Sequence, residues 1–201
     1  HSEIEEMIAS PVIKAVSLTG SEAAGRKVAA VAGQNLKKCV LELGGSDAFI
    51  VLEDADIKKA TEDAAAARLQ NCGQTCVAGK RFIIHHKIYD EFLSKFIEEY
   101  QKYIPGNPKN PETVLGSMAR EDLASELENQ YQKAIDHGAK ILLPLKRVGE
   151  MAFEPGLMEM NAGNPVLDEE LFGPLGMVFK AENDDEALRI ANSTMFGLAN
   201  A

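Results

Sequence analysis

Residues 12–32 read VIKAVSLTGSEAAGRKVAAVA. Val12 to Leu18 mixes β-branched and small apolar residues, the chain turns at Thr19-Gly20-Ser21, and Glu22 to Ala32 is rich in helix formers. Strand, glycine turn and helix follow in that order. Working outward, Lys38 to Leu43 is a second strand that meets Gly44-Gly45, and Ala48 to Leu52 a third that stops at the acidic turn Glu53-Asp54-Ala55-Asp56. A helix is predicted from Ile57 to about Gln70. After Asn71-Cys72-Gly73-Gln74-Thr75-Cys76 the residues favour another helical turn or two, then a strand at Arg81 to His85 and an amphipathic helix from Ile88 to Tyr103, ended by Pro105 and Gly106. Arg120 to His137 is a further helix with Leu123, Leu127, Tyr131 and Ala134 on one face and Gly138 as its C-cap. A strand at Ala139 to Leu143, irregular chain through Gly163, a strand near Gly176 to Phe179 and a helix from Asp184 to Ser193 complete the order. Strands alternating with helices predict an α/β fold with a mostly parallel sheet. Gly44-Gly45 is the expected hinge between two units, 1–44 and 45–201.

The chain has 201 residues, 45% apolar and 26% charged, which excludes a disordered or collagen-like polypeptide. Its 21 basic and 31 acidic residues leave a net charge of −10, unfavourable for duplex nucleic acid or an anionic membrane as main partner. No apolar run reaches the ~20 residues that span a bilayer. A small molecule or another protein is the expected partner. Cys39, Cys72 and Cys76 cannot all pair with one another, and no secretory-signal pattern opens the chain, so a cytoplasmic location is expected. His1 and Ala201 both sit in ordinary globular sequence, so an excerpt of a longer polypeptide is expected.

Four segments carry residues suited to chemistry. Thr19-Gly20-Ser21, with Gly25 beyond it, lies between a strand and a helix, where backbone N–H groups favour phosphate; a turn without ligand is the alternative. Cys76, in Gly73-Gln74-Thr75-Cys76, is either a nucleophile activated at a helix start or a small buried apolar residue. Glu42, at the end of a strand in Leu41-Glu42-Leu43, is either an outward-facing acid or a poorly hydrated carboxyl of raised pKa. Glu170-Leu171-Phe172-Gly173-Pro174 offers either a ribose-binding acid beside an aromatic ring or a loop with a packed phenylalanine.

These motifs occur in one order, with Glu42 34 positions before Cys76, and together they resemble the aldehyde dehydrogenase superfamily over essentially the whole chain. Lys38 to Asp47, with Ser46-Asp47 after the glycines, and Gln70 to Cys76, followed by Lys80-Arg81-Phe82, look most like the bacterial succinate-semialdehyde dehydrogenases within it. The resemblance implies the end of a Rossmann-type cofactor domain at 1–44, most of an α/β catalytic domain at 45–201, and NAD or NADP as cofactor. It implies Cys76 as the nucleophile that forms a thiohemiacetal and then a thioester, and Glu42 as general base. Thr19, Gly20, Ser21 and Gly25 match the turn that faces the cofactor, Leu43 a residue near the carboxamide, and Glu170 and Phe172 the acid on the nicotinamide ribose and its neighbouring ring. An acid at position 42 favours hydrolysis to the free carboxylate over acyl transfer to coenzyme A. The family's remaining cofactor strands and its oligomerisation flap have no counterpart here, so a homo-oligomer is expected of the full-length protein and no turnover of residues 1–201 alone.

A substrate that carries a carboxylate calls for a cation in its pocket, and Arg68, Lys80 and Arg81 are nearest Cys76 in sequence, with surface exposure as their ordinary fate. A Cys72–Cys76 disulfide would need helical backbone across Gly73. Metal binding by Cys72, Cys76, His85 and His86 fits no standard spacing, and no metal is expected. Two other functions fit the residues: a non-catalytic folded module, and a cysteine hydrolase pairing Cys76 with His85 or His86.

Overall fold

The computed structural model describes residues 2–201, and the chain divides into two compact units between Gly44 and Gly45. The first contains helix α1 (Ser2–Ala9), strand β1 (Ala15–Thr19), helix α2 (Glu22–Gln34) and strand β2 (Lys38–Glu42). β1 and β2 are parallel, with Val16 opposite Cys39 and Leu18 opposite Leu41. Side chains on a strand alternate between faces, and here Val16, Leu18, Cys39 and Leu41 turn inward while Thr19, Lys38, Val40 and Glu42 are exposed. Ser21 caps α2 by accepting from the Ala24 N–H at 3.3 Å. At Gly25 the helix lies so close to the continuation of β2 that a Cβ there would stand 2.6 Å from Leu43 Cδ2. The Lys37 ammonium donates to the carbonyls of Ile8 and Ser10 and so closes the end of α1.

The second unit is built on a five-stranded sheet. Its strands, in chain order, are β3 (Asp47–Val51), β4 (Gly79–His85), β5 (Lys140–Leu143), β8 (Gly156–Glu159) and β9 (Leu175–Ala181), with the two-residue pair β6 (Lys146–Arg147) and β7 (Phe153–Glu154) outside it. The spatial order is β3-β4-β9-β8-β5. The first four run parallel, and β5 is antiparallel to β8. The helices are α3 (Ile57–Leu69), α4 (Tyr89–Gln101), α5 (Glu121–Asp136) and α6 (Asp184–Ala191). This is the α/β architecture the alternation predicts.

β4 is buried along its whole length. On one face Phe82 stacks against Phe96 of α4 at 4.8 Å and Phe49 of β3 at 5.7 Å, and Phe96 continues to Tyr100 at 4.7 Å. On the other, Arg81 reaches the Ile190 and Ala191 carbonyls at the end of α6. Ala64 and Ala65 let α3 pack closely, and both are buried. The Asp56 carboxylate starts α3 by accepting from the Lys59 N–H at 3.1 Å. We expect Asp56→Ala to lower stability by about 1 kcal/mol, read as a shifted denaturant midpoint at unchanged slope.

Two stretches differ from expectation. The chain expected to be irregular through Gly163 holds β8, an interior strand; four residues behind Pro155 are too few to display a period. The helix expected after Cys76 is absent. Only Val77 and Ala78 separate Cys76 from β4, and they form a turn closed by the Ala78 N–H on the Thr75 carbonyl at 3.2 Å. Among the described residues, no helix is long and apolar enough to cross a membrane.

Candidate active site

Because β3, β4 and β9 are parallel neighbours, the three loops that enter them lie side by side at the amino ends of the strands. They are Gly45-Ser46, the segment 70–78, and Glu170 to Pro174. Sequence-distant motifs are thereby collected at one edge of the sheet.

The central loop carries Cys76. Its backbone reverses after α3 through three consecutive positive φ angles, Asn71 at 53°, Cys72 at 56° and Gly73 at 71°. Asn and Gly suit the left-handed region; Cys72 is an unusual occupant, held there by its surroundings. Gln74 fastens the loop to a neighbouring segment, with Oε1 accepting from the Ala119 N–H at 2.8 Å. Asn71 Nδ2 donates to the Gln74 carbonyl at 3.0 Å.

Two buried cations hold the loop from beneath. Arg68, at the end of α3 and with no exposed surface, donates through Nη2 to the carbonyls of Gly73 at 2.7 Å, Leu171 at 3.0 Å and Gly173. Burial pushes its guanidinium down to about 10. Lys80 donates to the carbonyls of Cys76 at 2.8 Å and Thr75 at 3.0 Å, and its ammonium lies 3.6 Å from Glu170 Oε1. Burial and then the nearby Arg68 charge lower Lys80 to about 8, while Glu170 and Asp47 pull the other way. Glu170 Oε1 also accepts from the Gly45 N–H at 3.2 Å. The loops are packed so closely that a Cβ on Gly45 would stand 2.7 Å from the Cys76 carbonyl oxygen.

The expected site residues fall on both units. Thr19, Gly20 and Ser21 are exposed at the carboxyl end of β1, and the Gly20 N–H donates to the Glu42 carbonyl at 3.0 Å. Gly25 is buried and Leu43 half-buried, each against the other. Glu42 is exposed, which its strand parity dictates. Cys76, Glu170 and Phe172 are half-buried, and the structure brings Cys76 and Glu170 together through Lys80.

Several expectations are corrected. Arg68, Lys80 and Arg81 are not surface charges, nor free to receive a substrate carboxylate: each is buried and engaged with backbone carbonyls, Arg81 with Ser46 at 2.7 Å as well as with α6. Cys76 has no helix start behind it, and the nearby positive charge comes instead from Lys80. All three cysteines are free thiols. The backbone from Asn71 to Gly73 is left-handed, so the helical spacing a Cys72–Cys76 bridge would use is missing, and burial pushes the Cys72 thiol up to about 11. His85 and His86 lie at the carboxyl end of β4, about 20 Å along the strand from its amino end. They are not placed to serve as a base for Cys76. Among the described residues, no group of three His, Cys, Asp or Glu side chains is arranged to hold a metal.

The roles of Arg68 and Lys80 are what residue-by-residue reading misses. The available signal is position: Lys80 stands at the head of the apolar run Phe82-Ile83-Ile84, in a strand that is buried along its whole length.

By fold and loop arrangement this is an α/β protein that carries a strand–glycine turn–helix cradle and a cysteine loop at the edge of a mostly parallel sheet. The family model for the aldehyde dehydrogenases matches residues 1–201. The chain belongs to the aldehyde dehydrogenase family. It is 42% identical to the succinate-semialdehyde dehydrogenase [NADP(+)] of Deinococcus radiodurans, over all of this chain and 43% of that protein. Among solved structures it is similar to the succinic semialdehyde dehydrogenase of Streptococcus pyogenes in complex with NADP+, with a TM-score of 0.94 and 35% identity over 100% of this chain and 45% of that one. It is also similar to a salicylaldehyde dehydrogenase of Pseudomonas putida G7 complexed with salicylaldehyde, with a TM-score of 0.92 and 31% identity over 99% and 42% of the two chains. The chain spans less than half the length of each of these relatives.

Proposed function

We propose that residues 1–201 supply the cysteine loop and part of the nucleotide-binding surface of an NAD(P)-dependent aldehyde dehydrogenase, with succinate semialdehyde as substrate and succinate as product. The observation that carries this reading is Cys76, half-buried in a loop whose carbonyls are held by buried cations, in a chain 42% identical to a protein named for that activity. In this reading residues 1–44 end the nucleotide-binding domain and 45–201 belong to the catalytic domain. Residues 1–201 alone do not turn over, and the complete protein is a cytoplasmic homo-oligomer whose partner is a small aldehyde, not nucleic acid or a membrane.

The residues fit a nicotinamide nucleotide. The first turn of the 13-residue α2 offers backbone N–H groups at an exposed glycine turn on the carboxyl side of a parallel strand, a setting that favours pyrophosphate. Thr19, Gly20 and Ser21 would face it, with Gly25 keeping α2 close to Leu43. Glu170 has Oε1 held by Gly45 and Lys80, so Oε2 points to a role as acceptor for a ribose hydroxyl, with Phe172 as the apolar neighbour. When bound, the nucleotide supplies the acceptor for the two electrons and the hydrogen that leave the aldehyde carbon.

The chain's own residues do the rest. The Cys76 thiol adds to the aldehyde carbon: the C–S bond forms, the carbonyl electron pair moves to oxygen, and the S–H proton ends on that oxygen as the thiohemiacetal hydroxyl, to be lost when the carbon is oxidised. After oxidation the same carbon is a thioester. Glu42 takes a proton from water as the water oxygen attacks that thioester, the C–S bond breaks, and carboxylate and Cys76 thiol are released. Glu42 is exposed at the end of β2, where water reaches its carboxylate.

The alternative is another small aldehyde, and salicylaldehyde in a structurally similar protein keeps it in view. We expect kcat/KM for succinate semialdehyde to exceed that for butyraldehyde by about 100-fold or more in the intact protein, since a site that pairs a carboxylate rejects the analogue lacking it. Equal values would remove the succinate semialdehyde assignment.

A further inference from the structure

A buried ammonium needs an acceptor for each of its N–H groups. Lys80 has no exposed surface, and its partners come from two different loops: it donates to the Thr75 and Cys76 carbonyls at 3.0 and 2.8 Å and forms an ion pair with the Glu170 carboxylate at 3.6 Å. The Ala78 carbonyl, at 3.5 Å, closes the shell. Arg68 ties the same two loops together, but through the Gly73, Leu171 and Gly173 carbonyls, without touching Cys76 or the Glu170 side chain. The backbone of the nucleophile and the acid expected to hold the nucleotide ribose therefore share one counter-charge.

We propose that Lys80 is a positioning residue that couples the Cys76 loop to the Glu170 carboxylate, so that a change at Glu170 is felt at Cys76. This rests on the dehydrogenase reading for the roles of Cys76 and Glu170, and on the geometry alone for the coupling. A lysine is suited to the place because its compact ammonium spreads three N–H groups over acceptors in different directions, which a flat guanidinium cannot do in the same space. When Glu170 loses its charge, the ammonium loses its ion-pair partner, keeps the Asp47 charge nearby, and relies on the Thr75 and Cys76 carbonyls. Cys76 is then presented differently although nothing next to it has been altered.

The test is a double-mutant cycle in the intact protein, with Glu170→Gln, Lys80→Met and the double variant. The reading is the rate at which iodoacetamide alkylates Cys76, followed by peptide mass so that Cys39 and Cys72 serve as internal references. Glu170→Gln is expected to change the Cys76 rate by about fivefold or more in the Lys80 protein and by less than about twofold in the Lys80→Met background, in keeping with groups that act as one network. A lysine that merely stabilised the fold would lower the melting temperature and leave this rate alone. A Cys76 rate unchanged by Glu170→Gln, or changed equally in both backgrounds, overturns the proposal. Should Lys80→Met fail to fold, Lys80→Arg takes its place in the cycle with the same criterion. A wild-type protein that binds neither NAD+ nor NADP+ in a calorimetric titration loses the dehydrogenase reading, whereas the alkylation cycle still decides the coupling.

Discussion

Cys76→Ala is expected to reduce aldehyde oxidation by the intact protein at least about 10⁴-fold while leaving it folded and able to bind nucleotide. The size of the effect follows from the chemistry: without the sulfur there is no atom to carry the acyl group, and no second thiol can substitute. Cys72 is buried and its thiol is pushed up to about 11, and Cys39 lies on β2 in the other unit. The fold should survive because Cys76 is only half-buried and the loop is held through its backbone carbonyls, which alanine keeps. Steady-state turnover and a thermal melt on the same preparation check both halves of the expectation. Turnover within tenfold of wild type would end the assignment of Cys76 as nucleophile.

Gly73→Ala is expected to be the most damaging small substitution in the loop, lowering stability by about 3 kcal/mol or more. Two penalties act together. Gly73 has φ of 71°, where an L side chain is strained, and its Cβ would stand 2.2 Å from the Gly173 carbonyl oxygen and 2.6 Å from Arg68 Nη2. Neither neighbour can yield cheaply, because the carbonyl is backbone and Arg68 is locked by its own hydrogen bonds. For a chain of this size the melting temperature should fall by about 6–12 °C. Gly163→Ala is the matched control: φ is 83°, but nothing lies within 4 Å of the added methyl, so only the conformational penalty of about 1 kcal/mol remains. Equal losses at the two glycines would mean that the contact with Gly173 does not hold the loops together.

How much was legible in the sequence depended on how local each determinant is. Strand, turn and helix at 15–34 were readable because composition changes sharply at Gly20, and α5 because its apolar face and Gly138 cap are both local signals. β8 was not readable, since it is a strand only by virtue of β9 and β5 on either side. The first-unit helix α1, short and acidic, carried no expectation and is closed by Lys37 from much further along the chain. The motifs themselves were legible, and so was the family they resemble. The setting of Cys76 was not, for a physical reason: helix-favouring residues after it are overridden by the early start of β4 at Gly79. Lys80 and Arg68 look like surface charges in a linear reading because their acceptors are backbone carbonyls, which leave no trace in the amino-acid pattern. Only the parallel order of β3, β4 and β9 shows why the loops before them must share counter-charges.

The most direct test of the account is to catch the acyl group on its carrier. In Glu42→Gln protein, where hydrolysis should be slowed, NADP+ and succinate semialdehyde are added, the mixture is quenched in acid, and the cysteine peptides are weighed. A succinyl group is expected on the Cys76 peptide, removed by hydroxylamine as a thioester should be, with the Cys39 and Cys72 peptides unmodified. A Cys76 peptide that stays unmodified while substrate is consumed, or an acyl group found on another residue, would contradict this expectation.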